Sequence, residues 1–458
     1  MSLATIVNRL APASRRQAGG GVVSPPPPNR IVALIARVRS DSLLRNSVFI
    51  MASTIATSAL GYLFWLLAAR LYDAATVGLV AALISASTAL VLMASLGVGG
   101  TLIQTLPGLP RSRWTSALWT GAATTAAFVL PLSMGVVLLL PLVSDNMDIL
   151  RSAPFACLFV VGTFCLAIGA TIDYAFIADR CAKNMFWRNT LAAVLKVALL
   201  AGAGWSAARE ALSLTTVWAL STLAGLILGL ALIRRIHRFE KPPRPKSLAR
   251  VAFRFRAAVT GHQLIGLGTG VVPYALPVIV TTRLSAVDNA YFYTTWMIAG
   301  LLFVVSDAVS QSLFAEGVHR KGTVSIYTSA ARLIGVVLAI GIGSVLIFGE
   351  RVLSTFGTAY ASNGLTLLYI AVAASVPDAV TNVYVGILRV QRRLAAAATL
   401  NLAMGALTIG IAWFLLPQLG IEAVGWSFLA GQAFGCAYVM IDSLIQRRSQ
   451  RATIEESS

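Results

Sequence analysis

Charge is scarce in this sequence. Acidic residues number 17 and basic residues 36 among 458, so only 12% of positions are charged. A water-soluble chain carries roughly a quarter of its residues as charges, which excludes that class. The complement is apolar: 57% of residues are hydrophobic and the mean hydropathy is +0.79. Such a chain uses lipid as part of its solvent. Histidine is scarcer still. His237, His262 and His319 lie far apart, and no HExxH occurs. The four cysteines, Cys157, Cys165, Cys181 and Cys436, form no CxxC and have no histidine at metal-ligand spacing. They read as small apolar residues, and no metal is expected. The glycine-dense GLGTG at residues 266–270 is neither a P-loop nor GxGxxG, and no βαβ pattern surrounds it. Its glycines are read as allowing close helix packing or a bend. An enzyme is not expected, no cofactor is implied, and ATP-driven chemistry would need a separate subunit.

What is present is a succession of long apolar runs. A membrane-spanning helix needs about 20 mostly apolar residues. Twelve runs qualify, at 46–69, 75–105, 114–143, 153–178, 187–205, 212–233, 258–281, 290–315, 328–348, 365–388, 394–416 and 423–445. The expected fold class is an all-α membrane protein with twelve transmembrane helices in two six-helix lobes. The formal net charge is +19. The basic residues fall between apolar runs, so nucleic acid is not an expected partner, whereas membrane lipid is. With the N-terminus inside, the inner segments hold 30 Lys+Arg and the outer loops five: Arg70, Arg151, Arg209, Arg283 and Arg351. That bias predicts that both termini are cytoplasmic. Within a span it leaves Lys196 alone.

The domain reading follows. Residues 1–44 carry PPPP, GGG and six arginines, with no apolar core before a small-residue cleavage site. They read as a disordered basic cytosolic tail, not a signal peptide. Spans one to six form a lobe at 45–233, and spans seven to twelve a second at 257–445. Residues 234–256, RRIHRFEKPPRPKSLARVAFRFR, form a basic cytosolic linker, and 446–458 a second tail. The halves repeat weakly. Arg70-Leu71 closes span one as Arg283-Leu284 closes span seven. Arg180, Lys183 and Thr190-Leu191 align with Arg389, Arg392 and Thr399-Leu400. Two repeats of six spans share one orientation, which predicts a pseudo-two-fold along the membrane normal and a cavity between halves.

Ionisable groups inside spans cost roughly 2.5–3.5 kcal/mol each on insertion scales, so each should meet a partner or a wet cavity. Asp173 lies about five residues from the inner end of span four, and Lys196 about eight residues into span five. At 1.5 Å per residue their depths differ by about 5 Å, which predicts an Asp173–Lys196 pair. That pair reads either as a structural ion pair or as a cation for a substrate phosphate, held by Asp173 when the site is empty. Asp307 lies in span eight, and Asp378 follows Pro377 near the middle of span ten. His262 stands near the inner end of span seven, which Pro273 and Pro277 then interrupt. Carboxylates beside broken helices suit sugar hydroxyls or a coupling proton or Na+, and the three prolines are candidate hinges. Arg70 with Asp73 is a candidate outer gate. Glu316, His319 and Asp442 lie near interfaces, where solvation is the expected state.

Several runs resemble a known family. GYLFWLLAARLYDAATVGLVAALISASTALVLMASLGVGGTLIQTLP at 61–107 is similar to the first hairpin of bacterial polysaccharide flippases of the O-unit (Wzx) type. The runs at 172–196, 290–319, 353–370 and 420–432 also fit, so the resemblance covers roughly residues 45–445. The superfamily it implies includes multidrug and toxin extruders and murein-precursor flippases. It implies two six-helix lobes working by alternating access. The cargo it implies is a polyprenyl-diphosphate oligosaccharide moved from the inner to the outer leaflet, and polysaccharide polymerases or glycosyltransferases are the implied protein partners. It places Asp173 and Lys196 in a recognisable motif. The chain departs from murein-precursor flippases in having no arginine inside span one. The alternatives are an ion-coupled drug or cation extruder of the same fold, or a non-transporting membrane scaffold for polysaccharide assembly.

Overall fold

The computed structural model describes residues 42–95, 97–203, 210–236, 266–268, 270–319 and 324–456. The tail at 1–41 and the linker from 237 to 256 lie outside the described residues, as does His262. Among the described residues all regular structure is helical: α1 (Ser42–Leu71), α2 (Ala74–Ala94), α3 (Val98–Thr105), α4 (Arg111–Val143), α5 (Ala153–Ala178), α6 (Ala182–Ala203), α7 (Ala211–Ile236), α8 (Val272–Arg283), α9 (Ala286–His319), α10 (Val324–Phe356), α11 (Thr358–Val390), α12 (Leu394–Leu419) and α13 (Glu422–Glu456). In hydrocarbon every backbone polar group must be satisfied within the segment, so apolar runs of this length fold as helices. Judged on the described residues, ten of these helices are long and apolar enough to cross a membrane. Of the twelve expected regions, the seventh holds α8, with 12 residues, and the eighth holds α9, whose side chains are described only in part.

The helices fall into two compact units, α1 to α7 and α8 to α13. In the amino-terminal unit α1 packs along α6, and α5 packs against α4 and α7. Its largest core cluster joins Leu102, Trp114, Cys165, Ile172, Phe176 and Leu226. In the carboxy-terminal unit α11 is central, touching α9, α10 and α13. Helices α1, α4, α6 and α10 bury little of their apolar length, whereas α2 and α11 bury most of theirs. Exposed leucines such as Leu138, Leu139 and Leu142 on α4 fit a lipid-facing surface.

The expected second span, 75–105, is not one helix. It breaks after Ala94, and Gly97 takes a left-handed conformation (φ 80°) before α3 begins. Glycine enters that region without a Cβ penalty. In the expected seventh span, helical residues at 266–268 and 270 precede Val271, whose backbone stays in the right-handed helical region, and Pro273 stands in the first turn of α8. There the missing N–H of proline costs nothing. Pro277 is inside α8 and Pro377 inside α11, and both helices run through them.

The repeat has a cleaner register than its side chains show. Arg180 and Arg392, 212 positions apart, are the only left-handed non-glycine residues among those described (φ 56° and 59°). Each closes a helix by the same pair of bonds: Cys181 N–H to Phe176 C=O and Arg180 N–H to Ile177 C=O, against Arg393 to Leu388 and Arg392 to Arg389. This is the Schellman ending. At the turn before α2 and α9 the spacing is again 212. Tyr72 bonds Ala68 as Leu284 bonds Val280, and Val77 bonds Asp73 as Asn289 bonds Ser285. The alignment of Arg180 with Arg389 is therefore corrected by three residues.

Candidate functional site

Asp173 does not pair with Lys196. Its carboxylate takes Arg188 instead, with Nη1 donating to Oδ1 at 2.6 Å. Asn189 Nδ2 donates to Oδ2 at 3.1 Å, and Asn189 Oδ1 accepts from Arg188 Nη1 at 2.9 Å. Arg188 Nε donates to the Gly225 carbonyl of α7 at 3.0 Å. The side chains of Arg188 and Asp173 are 8% and 18% exposed. The guanidinium reaches so far because the helices on either side of it present glycine. A Cβ on Gly229 would stand 3.0 Å from Arg188 Cδ, and one on Gly169 would overlap Nη2. Arg188 falls at the edge of the expected span 187–205 and counts with the inner-side charges, yet α6 begins at Ala182 and carries Arg188 in its second turn. The signal that could have found it was the small-residue spacing Gly225-x3-Gly229 facing Gly169.

Lys196 stands about 12 Å further along α6 than Arg188, at 1.5 Å per residue. It is half-buried, with Nζ 4.5 Å from the centre of the buried Phe64 ring of α1, a cation–π arrangement. It makes no ion pair among the described residues. Asn46 and Ser53 complete the α1–α6 seam: Asn46 Oδ1 accepts from Ala182 N–H at 2.8 Å, and Ser53 Oγ from Asn189 at 3.5 Å.

The carboxy-terminal unit holds two further clusters. Asp378, 6% exposed on α11, accepts from Ser306 of α9 at 2.6 Å, Asn382 at 3.1 Å and Gln432 of α13 at 3.2 Å. Thr381 donates to Gln432 Oε1 at 2.7 Å. Three helices thus meet on one carboxylate with hydroxyl and amide groups. Asp307 lies next to this cluster in sequence, on α9, and its side chain is outside the described residues. The second cluster was not expected. Asp442 is not simply solvated: its side chain is 13% exposed and takes both Arg393 Nη groups, at 2.7 and 2.8 Å. Gln446 and the Tyr384 hydroxyl donate to the same carboxylate. The bond to Asp442 raises the pKa of Arg393, in the turn before α12. Between α5 and α6, burial raises the Cys181 thiol, in keeping with an inert side chain. Of the gate pair, Asp73 caps α2 by accepting from Thr76 N–H at 3.1 Å, and Arg70 ends α1.

The family described as "Polysaccharide biosynthesis protein" matches residues 43–272, half of the chain. This chain belongs to that family. No curated protein matches this chain in sequence. Solved structures do match in fold. The lipid II flippase MurJ, in an inward closed conformation, superposes with a TM-score of 0.68 at 10% identity, over 86% of this chain and 87% of its own. An inward-facing MATE-family multidrug resistance transporter of the MOP superfamily gives 0.66 at 13% identity, over 87% and 96%. A MOP-superfamily transporter from Pyrococcus furiosus, noted for a binding pocket of reverse polarity, gives 0.55 at 13% identity, over 88% and 95%. This polysaccharide biosynthesis protein therefore has the MOP fold.

Charge is arranged differently in the two units of this family member. At the 212-residue spacing, Tyr384, Arg393 and Asp442 correspond to Ile172, Cys181 and Leu230, which belong to or pack against an apolar cluster. Asp173 and Arg188 correspond to Val385 and Leu400, both buried and apolar. The Asp442 cluster is structural, because it ties α11, the turn before α12 and α13 together. Asp442→Ala is expected to cost about 2 kcal/mol, since Tyr384 is buried and loses its acceptor while the part-exposed Arg393 regains water. A melting temperature in detergent would check this, and an unchanged value would refute it.

Proposed function

We propose that this protein is a flippase that moves a polyprenyl-diphosphate-linked oligosaccharide from the inner to the outer leaflet for cell-surface polysaccharide assembly. In this reading it spans a bacterial plasma membrane twelve times, in two six-span halves, with both termini cytoplasmic, and it works by alternating access. Membership of the polysaccharide biosynthesis family supports the substrate class, and the fold shared with a lipid II flippase supports a lipid-linked cargo. The single observation that carries the reading is Lys196. Arg188 has its charge committed to Asp173, whereas Lys196 rests on an aromatic face and holds no carboxylate among the described residues. A cation so placed is available to a diphosphate.

The chemistry demanded of the protein is modest. The polyprenyl tail stays in lipid and needs no desolvation, so only the headgroup must be solvated. Lys196 neutralises part of the diphosphate charge. The Asp378 cluster, with Ser306, Asn382 and Gln432, offers the mixed donors and acceptors that sugar hydroxyls require, and it is equally suited to a coupling proton or Na+. Asp307 and His262 serve the same end. Pro273, Pro277 and Pro377 serve as hinges, and the Arg70–Asp73 corner as an outer gate. Polymerases and glycosyltransferases are the protein partners.

Deleting the gene is expected to abolish the surface polysaccharide and to accumulate polyprenyl-linked precursor in the inner leaflet. Lys196→Ala should reproduce at least a tenfold loss of transport, equivalent to about 1.4 kcal/mol or more, while Lys196→Arg keeps most activity. Extraction of lipid-linked precursor with quantified surface polymer reads both. Intact polymer without precursor in the deletion strain would overturn the proposal, and drug sensitivity in its place would favour a drug extruder.

A further inference from the structure

We infer that the end of the amino-terminal unit around the α5–α6 turn is a docking site for a lipid-borne diphosphate, where the cargo headgroup is first bound. The inference rests on the cargo class proposed above. Six exposed cations gather at this end. Arg45 opens α1, Arg113 opens α4, Arg180 and Lys183 flank the α5–α6 turn, and Arg234 and Arg235 close α7. Packing brings them together. Asn46 Oδ1 accepts from Ala182 N–H at 2.8 Å, which seats the start of α1 on the turn. The Trp114 indole donates to Asp179 Oδ1 at 3.0 Å, which seats the start of α4 there. Arg45 acts electrostatically on Cys181. Ile233, in the last turn of α7, belongs to the same apolar cluster as Trp114 and Ala178. Asp179 is the one carboxylate at this end among the described residues. The opposite end carries Asp73, Asp145, Asp148 and Glu210 against Arg70 and Arg151.

Two features go beyond a charge bias that orients the chain. The first is in the backbone. Arg180 ends α5 with φ 56°, at a position where glycine is the usual residue and a side chain is strained. A strained guanidinium on the surface points to a role outside the fold. The carboxy-terminal unit repeats the strained arginine at Arg392, but its turn also holds the Asp442 carboxylate. Leu230 stands at the corresponding place here, so no such carboxylate competes with an anion. The second feature is depth. Lys183 and Trp187 are four residues apart, so they share a face of α6, and both are exposed. Trp187 is 47% exposed and packs edge-on against Phe186. An exposed tryptophan near the end of a membrane helix marks the headgroup level, so the anion that meets Lys183 is one carried by a lipid. A diphosphate engages several cations at once, which a singly charged headgroup does not. Helices α1, α4 and α6 all begin here, and their positive dipole ends add to the field. The last carbonyls of α5, at Phe176 and Ile177, are already bonded within the turn.

Native mass spectrometry of the full-length protein in detergent counts bound lipid, with undecaprenyl diphosphate and phosphatidylglycerol as the two probes. The parent should bind the diphosphate about tenfold or more tightly than phosphatidylglycerol. Equal affinity would make this end a general acidic-lipid surface and overturn the site. Near a charged headgroup each lysine or arginine is worth about fivefold in affinity. Arg180→Gly should therefore lose about fivefold, and Arg180→Gly with Lys183→Gln roughly 25-fold. Glycine relieves the strained φ, so the melting temperature of Arg180→Gly should hold or rise, which a merely structural arginine would not allow. Unchanged affinity in the double variant, or a loss matched by a fall in melting temperature, overturns the proposal. If the double variant does not fold, Arg113→Gln with Arg235→Gln, on two other helices, supplies the same comparison. A deletion strain with intact surface polymer would overturn the cargo reading and leave this binding result standing, so the two failures are distinguishable.

Discussion

Asp173→Ala is expected to be the most damaging single substitution in the amino-terminal unit, costing roughly 3–5 kcal/mol. Removing one member of a buried pair leaves the other charge without compensation, and Arg188 cannot escape. Its side chain is 8% exposed and threads between α5 and α7, held at Nε by the Gly225 carbonyl. Asn189 would lose its acceptor as well, and with it the tie between the ion pair and Ser53 of α1. Four helices therefore feel the change. The double variant Asp173→Asn with Arg188→Leu should be far milder, because neutral replacement of both partners removes the orphaned charge. Thermal unfolding in detergent, followed by size-exclusion chromatography, separates the two outcomes. A single variant as stable as the parent would show that the pair contributes nothing to the fold.

Gly268→Val should be the corresponding change in the carboxy-terminal unit, with a cost on the order of 3 kcal/mol from overpacking. A Cβ at Gly268 would stand 2.8 Å from the carbonyl carbon of Asn401 and 2.9 Å from the amide nitrogen of Leu402. These are backbone atoms of α12, so no rotamer change relieves the clash. The approach is mutual: a Cβ on Gly405 would meet Val272 Cγ2 at 2.8 Å and the Gly268 carbonyl at 3.1 Å. Small residues let membrane helices close to backbone contact, and here the whole of α12 would have to withdraw. Yield of monodisperse protein is the measurement. Parental yield and melting temperature in Gly268→Val would contradict this packing.

How much of this was legible in the sequence differs from feature to feature. The membrane class was legible because apolar runs of span length have few other homes. Of the GLGTG glycines, Gly268 was legible as a packing residue, since no phosphate-binding context accompanied it, whereas a Cβ at Gly266 would meet nothing. The break at residues 95–97 was not, because ASLGVGG stays apolar and hydropathy cannot register a left-handed glycine. Asp173 was legible as a buried charge, but its partner was not. Arg188 falls inside α6, six residues past its start, and a count of loop charges absorbed it. The Asp442 cluster had no local signature at all. Arg393 and Tyr384 reach it across 49 and 58 residues, through helix packing alone. The repeat was visible, but its register was written in backbone hydrogen bonds and only loosely in side chains.

The length of α13 has a mechanical consequence. The helix runs 35 residues from Glu422 to Glu456, while its apolar window closes at Gln446, where the polar run QRRSQR begins. The last ten residues therefore project about 15 Å past that window, at 1.5 Å per residue. Asp442 and Gln446 sit at the root of this projection, where Arg393 and Tyr384 grip the helix. The clamp is a fulcrum and the projecting turns are a lever arm. A tilt of α13 by about ten degrees would swing its tip by roughly 3 Å while the clamped turn barely moved.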